Sequence, residues 1–430
     1  MSITPLLCAR GASAFGGQYS IPPALPRLVV LGAGFGAFNL IKKLADDFDI
    51  TVVSPRNHFV FTPLLPSTTV GTIEFRSIIE PIRHARKDLR FYHADAVGLD
   101  AEHRNVTCRG VTAGDEFKVE YDILVIAVGA VSNTFNVPGV SEHAHFLRDL
   151  NDARELRQHI IRSFEHVNLP GIRTAERQRL LHFVVCGGGP TGVEFAAELN
   201  DFLVDDLNKS YPQLVPETTI TIVEAGKEIL STFDEKLRRY TTEAFRRQRI
   251  RILTESPVVN VEQTVIHLAD GSQIPYGLLL WTTGNGPTDF VKAAQLLKDA
   301  QARIVVDNYF RVKEHDAIYA LGDCSVIEHM PVPATSQVAQ QQGKYLAKAL
   351  TQRARKKSVE HFRYRHLGML AYIGENKALA DLDLLKGRGW TAWLFWRSAY
   401  LSRIVSVKNK TLVLFDWMKT KIFGRDISQF

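Results

Sequence analysis

The sequence predicts an α/β protein: two doubly wound parallel-sheet units in one chain, closed by an amphipathic helical region at the C-terminus. Three observations carry that prediction. Two strand–glycine turn–helix segments, "VVLGAGFGAFNLI" and "FVVCGGGPTGVEFAAEL", stand far apart in the chain. Each is followed by a second apolar strand and, later, by an apolar strand that ends in glycine. From Lys386 to Arg425, nine Lys/Arg and a single acid are interleaved with large aromatics.

The first unit opens on Val29–Leu31, a short apolar strand. Gly32, Gly34 and Ala37 fit G-x-G-x-x-G/A, with Phe35 and Gly36 inside the turn, and Asn39–Leu44 has helical periodicity. Glycine at the first two positions permits a tight turn and close backbone approach to a pyrophosphate. The helix N-terminus adds amide donors and partial positive charge. This is the Rossmann fingerprint for a dinucleotide. The acid that usually ends the second strand is replaced by Ser54, so the ribose contact must differ or come from the loop that follows.

The second unit repeats the pattern. Phe183–Cys186 is the strand, Gly187, Gly189 and Gly192 form the turn around Pro190 and Thr191, and a helix begins near Glu194. The next strand, "TTITIVEA", ends in Glu224. A carboxylate there accepts from both ribose hydroxyls and repels a 2′-phosphate, which favours NAD(H) over NADP(H); Lys227 nearby softens that preference. Both units are then completed by strands ending in glycine, "YDILVIAVGA" at Gly129 and "LLLWTTGNGP" at Gly284. "DAIYALGDCSV" closes in Gly322 and Asp323, an acid placed to bind a ribityl or ribose hydroxyl.

Composition narrows the class. The chain has 430 residues, 45% hydrophobic, with a net charge of +6, room for two or three domains. No uncharged run reaches the ~18–20 apolar residues of a spanning helix. The charge is small and dispersed, and no nucleic-acid motif appears. Cys8, Cys108, Cys186 and Cys324 are scattered without a CxxC pair, so zinc, iron–sulfur and redox-disulfide sites find no support and no metal is expected. Residues 1–26 carry Arg10 and no acid and are rich in Ser, Ala and Gly, the composition of a mitochondrial targeting leader or of an undistinguished leader.

The order of glycine turn, apolar strand with glycine, second turn, second such strand and "GD" resembles the two-dinucleotide-binding flavoproteins, in which the outer fold holds FAD and the inserted fold NAD(P)H. "SPRNHFVFTPLLPSTTVGTIEFRSIIEPIR", "CGGGPTGVEFAAEL", "ATSQVAQQQGKYLAK", "LAYIGENKA" and "FDWMKTKIFGRDIS" are closely similar to the type II NADH:quinone oxidoreductases, from about Arg27 to the end. The resemblance implies hydride transfer from NADH to non-covalent FAD, then two electrons to a membrane quinone of the ubiquinone type, without proton pumping. Gly32, Gly34, Phe35, Gly36 and Gly129 would meet FAD, as would the loop residues Ser54, Pro55, Arg56, Thr62, Pro63 and Leu64. Gly322, Asp323, Gln337 and Tyr372 would complete that site. NADH would fall to Gly187, Gly189, Pro190, Thr191, Gly192, Glu194, Glu224 and Gly284.

Gln337 and Gln341 are four apart and share a helical face with Gln340 beside them. Such amides suit flavin or quinone carbonyls, and they equally suit a solvated face; the resemblance selects the former. Glu194 in a helix first turn is favoured by the macrodipole whatever its role; the resemblance makes it a polar or proton-relay group beside flavin and nicotinamide, and with Gln337 and Gln341 the expected catalytic set. His58 and Phe59 read as packing. Gly374 accompanies Tyr372 in a segment that the resemblance lays against the flavin. Only eight residues separate Cys324 from Pro333, and no D-x-D-x-D-G loop occurs, so calcium regulation through an EF-hand insert is not expected.

The competing readings share the fold. A sulfide:quinone oxidoreductase needs redox cysteines at the flavin. A ferredoxin reductase has no use for the tail. An NADH-sensing scaffold like the apoptosis-inducing flavoproteins would turn over slowly. In the tail, Trp393, Trp396, Tyr400 and Ile404 recur at helical spacing, as do Leu412, Phe415, Trp417 and Ile422. Two amphipathic helices in a membrane interface fit that mix, and a hairpin packed on the body or in a dimer is the plainer alternative. The expected domains are a leader over 1–26, an FAD unit over 27–148 and 306–360, an NADH unit over 149–305 and a membrane-anchoring region over 361–430. A homodimer bound peripherally to the mitochondrial inner membrane is the expected setting.

Overall fold

The computed structural model describes residues 25–382 and 386–428; all but the last two residues of the expected leader lie outside them. The first sheet is built around Arg27–Leu31, whose buried Leu-Val-Val-Leu run is flanked in parallel by Asp49–Ser54 and Ile123–Ile126. A continuous apolar strand of this kind is what burial on both faces demands. Ile318–Ala320, from far along the chain, extends the parallel edge beyond Ile123–Ile126. On the other side Arg90–Asp100 pairs in parallel and carries an antiparallel extension through Asn105–Gly110 and Glu116–Glu120.

The second sheet centres on His182–Cys186, between Thr219–Val223 and Leu278–Trp281, with Ile250–Leu253 at the edge, all parallel. A small antiparallel layer, Val258–Val261, Val265–Leu268 and Gln273–Pro275, accompanies it. A two-residue ribbon, Val131–Ser132 against Asn285–Gly286, joins the strand ends of the two units.

Six helices position the site. α1 (Phe35–Lys43) and α3 (Pro190–Phe202) follow the two glycine turns, and α2 (Leu150–Val167) enters the second unit behind an Asp149 capping box. α4 (Ser336–Ala354) lies along α1, and α5 (Trp390–Arg403) and α6 (Val407–Phe423) close the chain. Every residue of α3 from Gly192 to Phe202 is buried, and the helix runs on into a π-helical turn at Leu203–Leu207.

A three-stranded antiparallel sheet, Met369–Tyr372, Ala378–Asp381 and Lys386–Gly389, leads into α5. Here the structure corrects the expected docking face. Trp393, Trp396, Tyr400 and Ile404 point inward, with Trp396 only 3% exposed. Trp396 packs on Tyr372 and Trp417, and Arg397 is sandwiched over Trp393 and Trp417 at 4.0 and 4.5 Å. The outward face is instead Trp390, Leu394 and Phe395 on α5, with Leu414, Phe415, Met418, Ile422 and Phe423 on α6. Of the second expected set, Phe415 and Ile422 are exposed, Leu412 is half-buried and Trp417 is buried. Large apolar side chains stand on all sides of α5, so spacing alone does not tell which ones meet the body. No described helix is long and apolar enough to cross a membrane.

Candidate active site

At the first turn Gly32 has φ +109°, and a Cβ there would collide with the Ala127 carbonyl. Only glycine is tolerated. A Cβ on Gly34 or Gly129 would meet nothing within 4 Å, so the backbone faces open space at both. α1 lacks a side-chain cap, unlike α2 and α4, which Asp149 and Thr335 cap. Its first-turn amides are left for an anion. Gly36 is glycine for another reason: a Cβ would drive into Leu321, and one on Gly343 of α4 would strike the Gly36 carbonyl. Gly343 lets α4 lie against α1, and Gly36 makes room for Leu321.

Ser54 is buried and its Oγ accepts from the Arg56 amide at 3.1 Å. Pro55 is exposed; Arg56 is half-buried, its guanidinium facing Asp149 and Asp152. Thr62–Leu64 forms one 3-10 turn, and Phe35 packs edge-on against Phe59 and Phe61. His58 is half-buried and bonds Asn57, and burial lowers its pKa. Asp323 stands half-buried just beyond Ile318–Ala320, where burial raises its carboxyl and Arg148 opposes the rise. Uncapped amides, open backbone at two glycines and a strand-end carboxylate fit an extended dinucleotide: phosphate on the helix, hydroxyl on the acid.

The second turn repeats the device. Gly187 has φ +113°, a Cβ on Gly192 would strike the Gly187 carbonyl, and Gly189 faces open space. α3 has no side-chain cap, and Pro190 and Thr191 are exposed at its start. Glu224 is half-buried, and each of its oxygens already accepts one backbone N–H at 2.6 Å, from Gly188 and Gly226. Lone pairs remain on both. A cleft of about 230 Å³ lies between the units, lined by Arg148, Thr191, Thr282, Gly284 and Asn285 among others.

Glu194 is buried on α3. One oxygen accepts the Tyr372 amide at 3.0 Å, and the indole N–H of Trp396 faces the same carboxylate and the Tyr400 hydroxyl. Burial pushes Glu194 up to about 8. The Tyr372 hydroxyl donates to Asp201 at 2.5 Å, so both polar groups of Tyr372 are committed to α3. Gln337 and Gln341 are committed as well. Gln337 accepts from Leu367 N and donates to Gly368 O, each at 3.1 Å. Gln341 accepts from Arg365 N at 3.1 Å and donates to Arg365 O at 2.9 Å. The two amides act as the edge that segment 365–368 pairs with, and each keeps one N–H and one lone pair.

The model of the pyridine nucleotide-disulphide oxidoreductase family matches residues 26–343, and that of the NDH2 C-terminal domain matches residues 366–426. The chain belongs to the type II NADH dehydrogenases. A probable NADH dehydrogenase of Dictyostelium discoideum is 44% identical, the match covering 94% of this chain and 91% of that relative. The mitochondrial internal alternative NAD(P)H-ubiquinone oxidoreductase A1 of Solanum tuberosum is 42% identical over 94% of this chain and 88% of its own. The structure of NDH2 from Plasmodium falciparum in complex with NADH superposes with TM-score 0.90 at 27% identity, over 94% of this chain and all of that one.

Within that family frame, several residues of the junction escaped the sequence reading. Arg148 donates to Ala130 O at 2.6 Å and to Asn285 at 2.8 Å, tying the first unit to the second beside Asp323. Gln342, fully buried, accepts the Gly322 amide at 2.7 Å. Glu198 and Asp201 share the buried face of α3 with Glu194. Only the four-residue spacing of 194 and 198 hinted at them. Among the described residues Cys108, Cys186 and Cys324 are free and buried, and desolvation pushes the Cys324 thiol up to about 12. Nothing there resembles a redox pair.

Proposed function

We propose that this chain oxidises NADH and passes two electrons through non-covalently bound FAD to a ubiquinone-type quinone, without pumping protons. One observation carries the reading: the buried acid Glu194, which stands in the second turn of α3 rather than in the expected first because that helix already starts at Pro190, is held by Tyr372 and faced by Trp396, both from the C-terminal region matched by the NDH2 model. Dinucleotide fold and family-specific tail thus meet on one carboxylate. Bound FAD supplies hydride acceptance and electron delivery; the chain supplies position, polarity and a proton route.

In this reading Gly32, Gly34, Gly129 and Asp323 hold FAD, with Arg148 across the crevice. Gly187, Gly189, Thr191 and Glu224 hold NADH, and the 230 Å³ cleft brings the nicotinamide toward the flavin. Residues 27–148 with 306–360 form the FAD unit, 149–305 the NADH unit and 361–430 the anchoring region. Gln337 and Gln341, through their remaining N–H groups, line the quinone side.

The apolar outer face of α5 and α6, amid nine Lys/Arg, supports peripheral attachment to an anionic lipid surface. Named mitochondrial relatives support that compartment, and the inner membrane, where a respiratory quinone lives, is the surface we assign. A homodimer is part of the reading. Reconstitution into quinone-loaded liposomes with an internal pH dye tests it: NADH consumption with quinol formation and no uncoupler-sensitive gradient is expected. A gradient that collapses with uncoupler contradicts the non-pumping assignment.

A further inference from the structure

Hydride transfer needs its reacting atoms about 3–3.5 Å apart, and a misplacement of about 1 Å can cost about a hundred-fold in rate. Here the two nucleotides belong to separate units of one chain. The seam between those units therefore sets the distance.

A unit inserted into another is joined to it by an outgoing and a returning pass of chain. The outgoing pass is Ala130–Asn133 and the returning pass is Gly284–Gly286. They pair only as Asn285 with Ser132 and Gly286 with Val131. A two-stranded ribbon that short is not stable by itself. Each pass also begins at a glycine in the left-handed region, Gly129 at φ +70° and Gly284 at φ +61°, which is backbone that can pivot.

One side chain spans both passes. The Arg148 guanidinium donates to Ala130 O on the outgoing pass at 2.6 Å and to Asn285 Oδ1 on the returning pass at 2.8 Å. Its own backbone is anchored, since Arg148 N donates at 2.6 Å to Asp152 Oδ2 inside the capping box of α2. A guanidinium taken out of water binds such acceptors more firmly than a neutral donor does. Two further contacts close the hinge from the outgoing side. Asn133 O accepts the Trp281 indole N–H at 3.0 Å, and the Phe135 ring comes within 2.7 Å of where a Cβ on Gly284 would stand. Ser132, Arg148, Gly284 and Asn285 all line the 230 Å³ cleft, so any slack in the hinge changes the shape of that cleft.

We infer that Arg148 is a positioning residue for the hydride step: by clamping both passes of the hinge it holds the NADH unit, and the nicotinamide with it, at hydride distance from the flavin. This rests on the NADH and FAD assignments proposed above. The transfer moves one hydride from nicotinamide to flavin and takes no group from Arg148, which acts through Ala130 and Asn285.

Asn285→Ala in the FAD-loaded full chain tests the clamp, because it removes one of the two bonds and leaves the guanidinium in place. The limiting rate of flavin bleaching at saturating NADH should fall about ten-fold or more. The Kd for NAD⁺ by calorimetry should stay within about two-fold, and quinone should reoxidise dithionite-reduced flavin at the parent's rate. The long-wavelength charge-transfer band of reduced flavin with NAD⁺ should weaken, and amide hydrogen exchange at residues 131–132 and 285–286 should quicken. Asn285→Asp, which keeps the acceptor oxygen, should bring the limiting rate back to within about two-fold of the parent's. A limiting rate and charge-transfer band equal to the parent's overturn the clamp. So does a Kd that rises at an unchanged limiting rate, which would make Asn285 a nucleotide ligand instead. An Asn285→Asp variant as slow as Asn285→Ala overturns it too. If Asn285→Ala purifies without flavin, Arg148→Lys carries the same measurements with the same expectations. A parent flavin that NADH fails to bleach overturns the functional reading itself, and that is visible without any variant.

Discussion

Single residues divide into those whose chemistry is written in their neighbours and those that depend on distant chain. Gly32 and Gly187 belong to the first kind: strand, turn and helix surround each in the sequence, and the structure gives each a backbone reason. Arg148 belongs to the second. Its partners at Ala130 and Asn285 come from two different units, and no local pattern announces them. Glu224 shows both sides, since its strand-end position is legible while its bonds to Gly188 and Gly226 are not. Because its charge opposes a 2′-phosphate, Glu224→Gln should reduce the kcat/KM preference for NADH over NADPH about ten-fold, about 1.4 kcal/mol. An unchanged preference in steady-state assays with both nucleotides would contradict that role.

At the scale of elements, the parallel strands were legible because they are short apolar runs between turn residues. The phase of α5 was not, because apolar residues surround it and only the body decides which ones turn inward. The acid row on α3 was hidden in the same way: "EFAAELND" reads as an ordinary helix until Tyr372, Ser67, Thr72 and Arg425 arrive from elsewhere. The contact of α1 with α4 rests on Gly343, where a Cβ would strike the Gly36 carbonyl. Gly343→Ala should force the helices apart and cost about 1–3 kcal/mol, as overpacking does, with a lower melting temperature and weaker flavin retention by fluorescence. A melting temperature equal to the parent's would show that the contact yields easily. On the outer face, Phe415→Ser with Met418→Ser should abolish flotation with anionic liposomes while leaving flavin bleaching by NADH intact; undiminished flotation would remove this face from the docking account. Point changes are the sharper tool here, since deleting the tail would also strip Trp396, Trp417 and Arg425 from the interior.

For the whole molecule, two buried acids with raised pKa tie stability to pH. Glu194 at about 8 and Asp201 at about 7 both bind protons more tightly folded than unfolded. Their contribution is complete below the ordinary carboxylate range and is lost as pH rises through 7 and 8. The half-buried His58, His145, His159 and His182, whose pKa burial lowers, act in the opposite sense only up to about pH 6.5, so the melting temperature should fall between about pH 6.5 and about pH 8.5, and Asp201→Asn should flatten the slope; a melting temperature that rises over that window would contradict the assignment. In the proposed function electrons enter from NADH in water at the two units and leave to a quinone held near lipid at the tail. Rapid mixing of the FAD-loaded protein with NADH, then with a soluble ubiquinone analogue, tests that claim most directly. The account predicts fast bleaching of the flavin followed by its full reoxidation with stoichiometric quinol. A flavin that bleaches and stays reduced in the presence of quinone would contradict it.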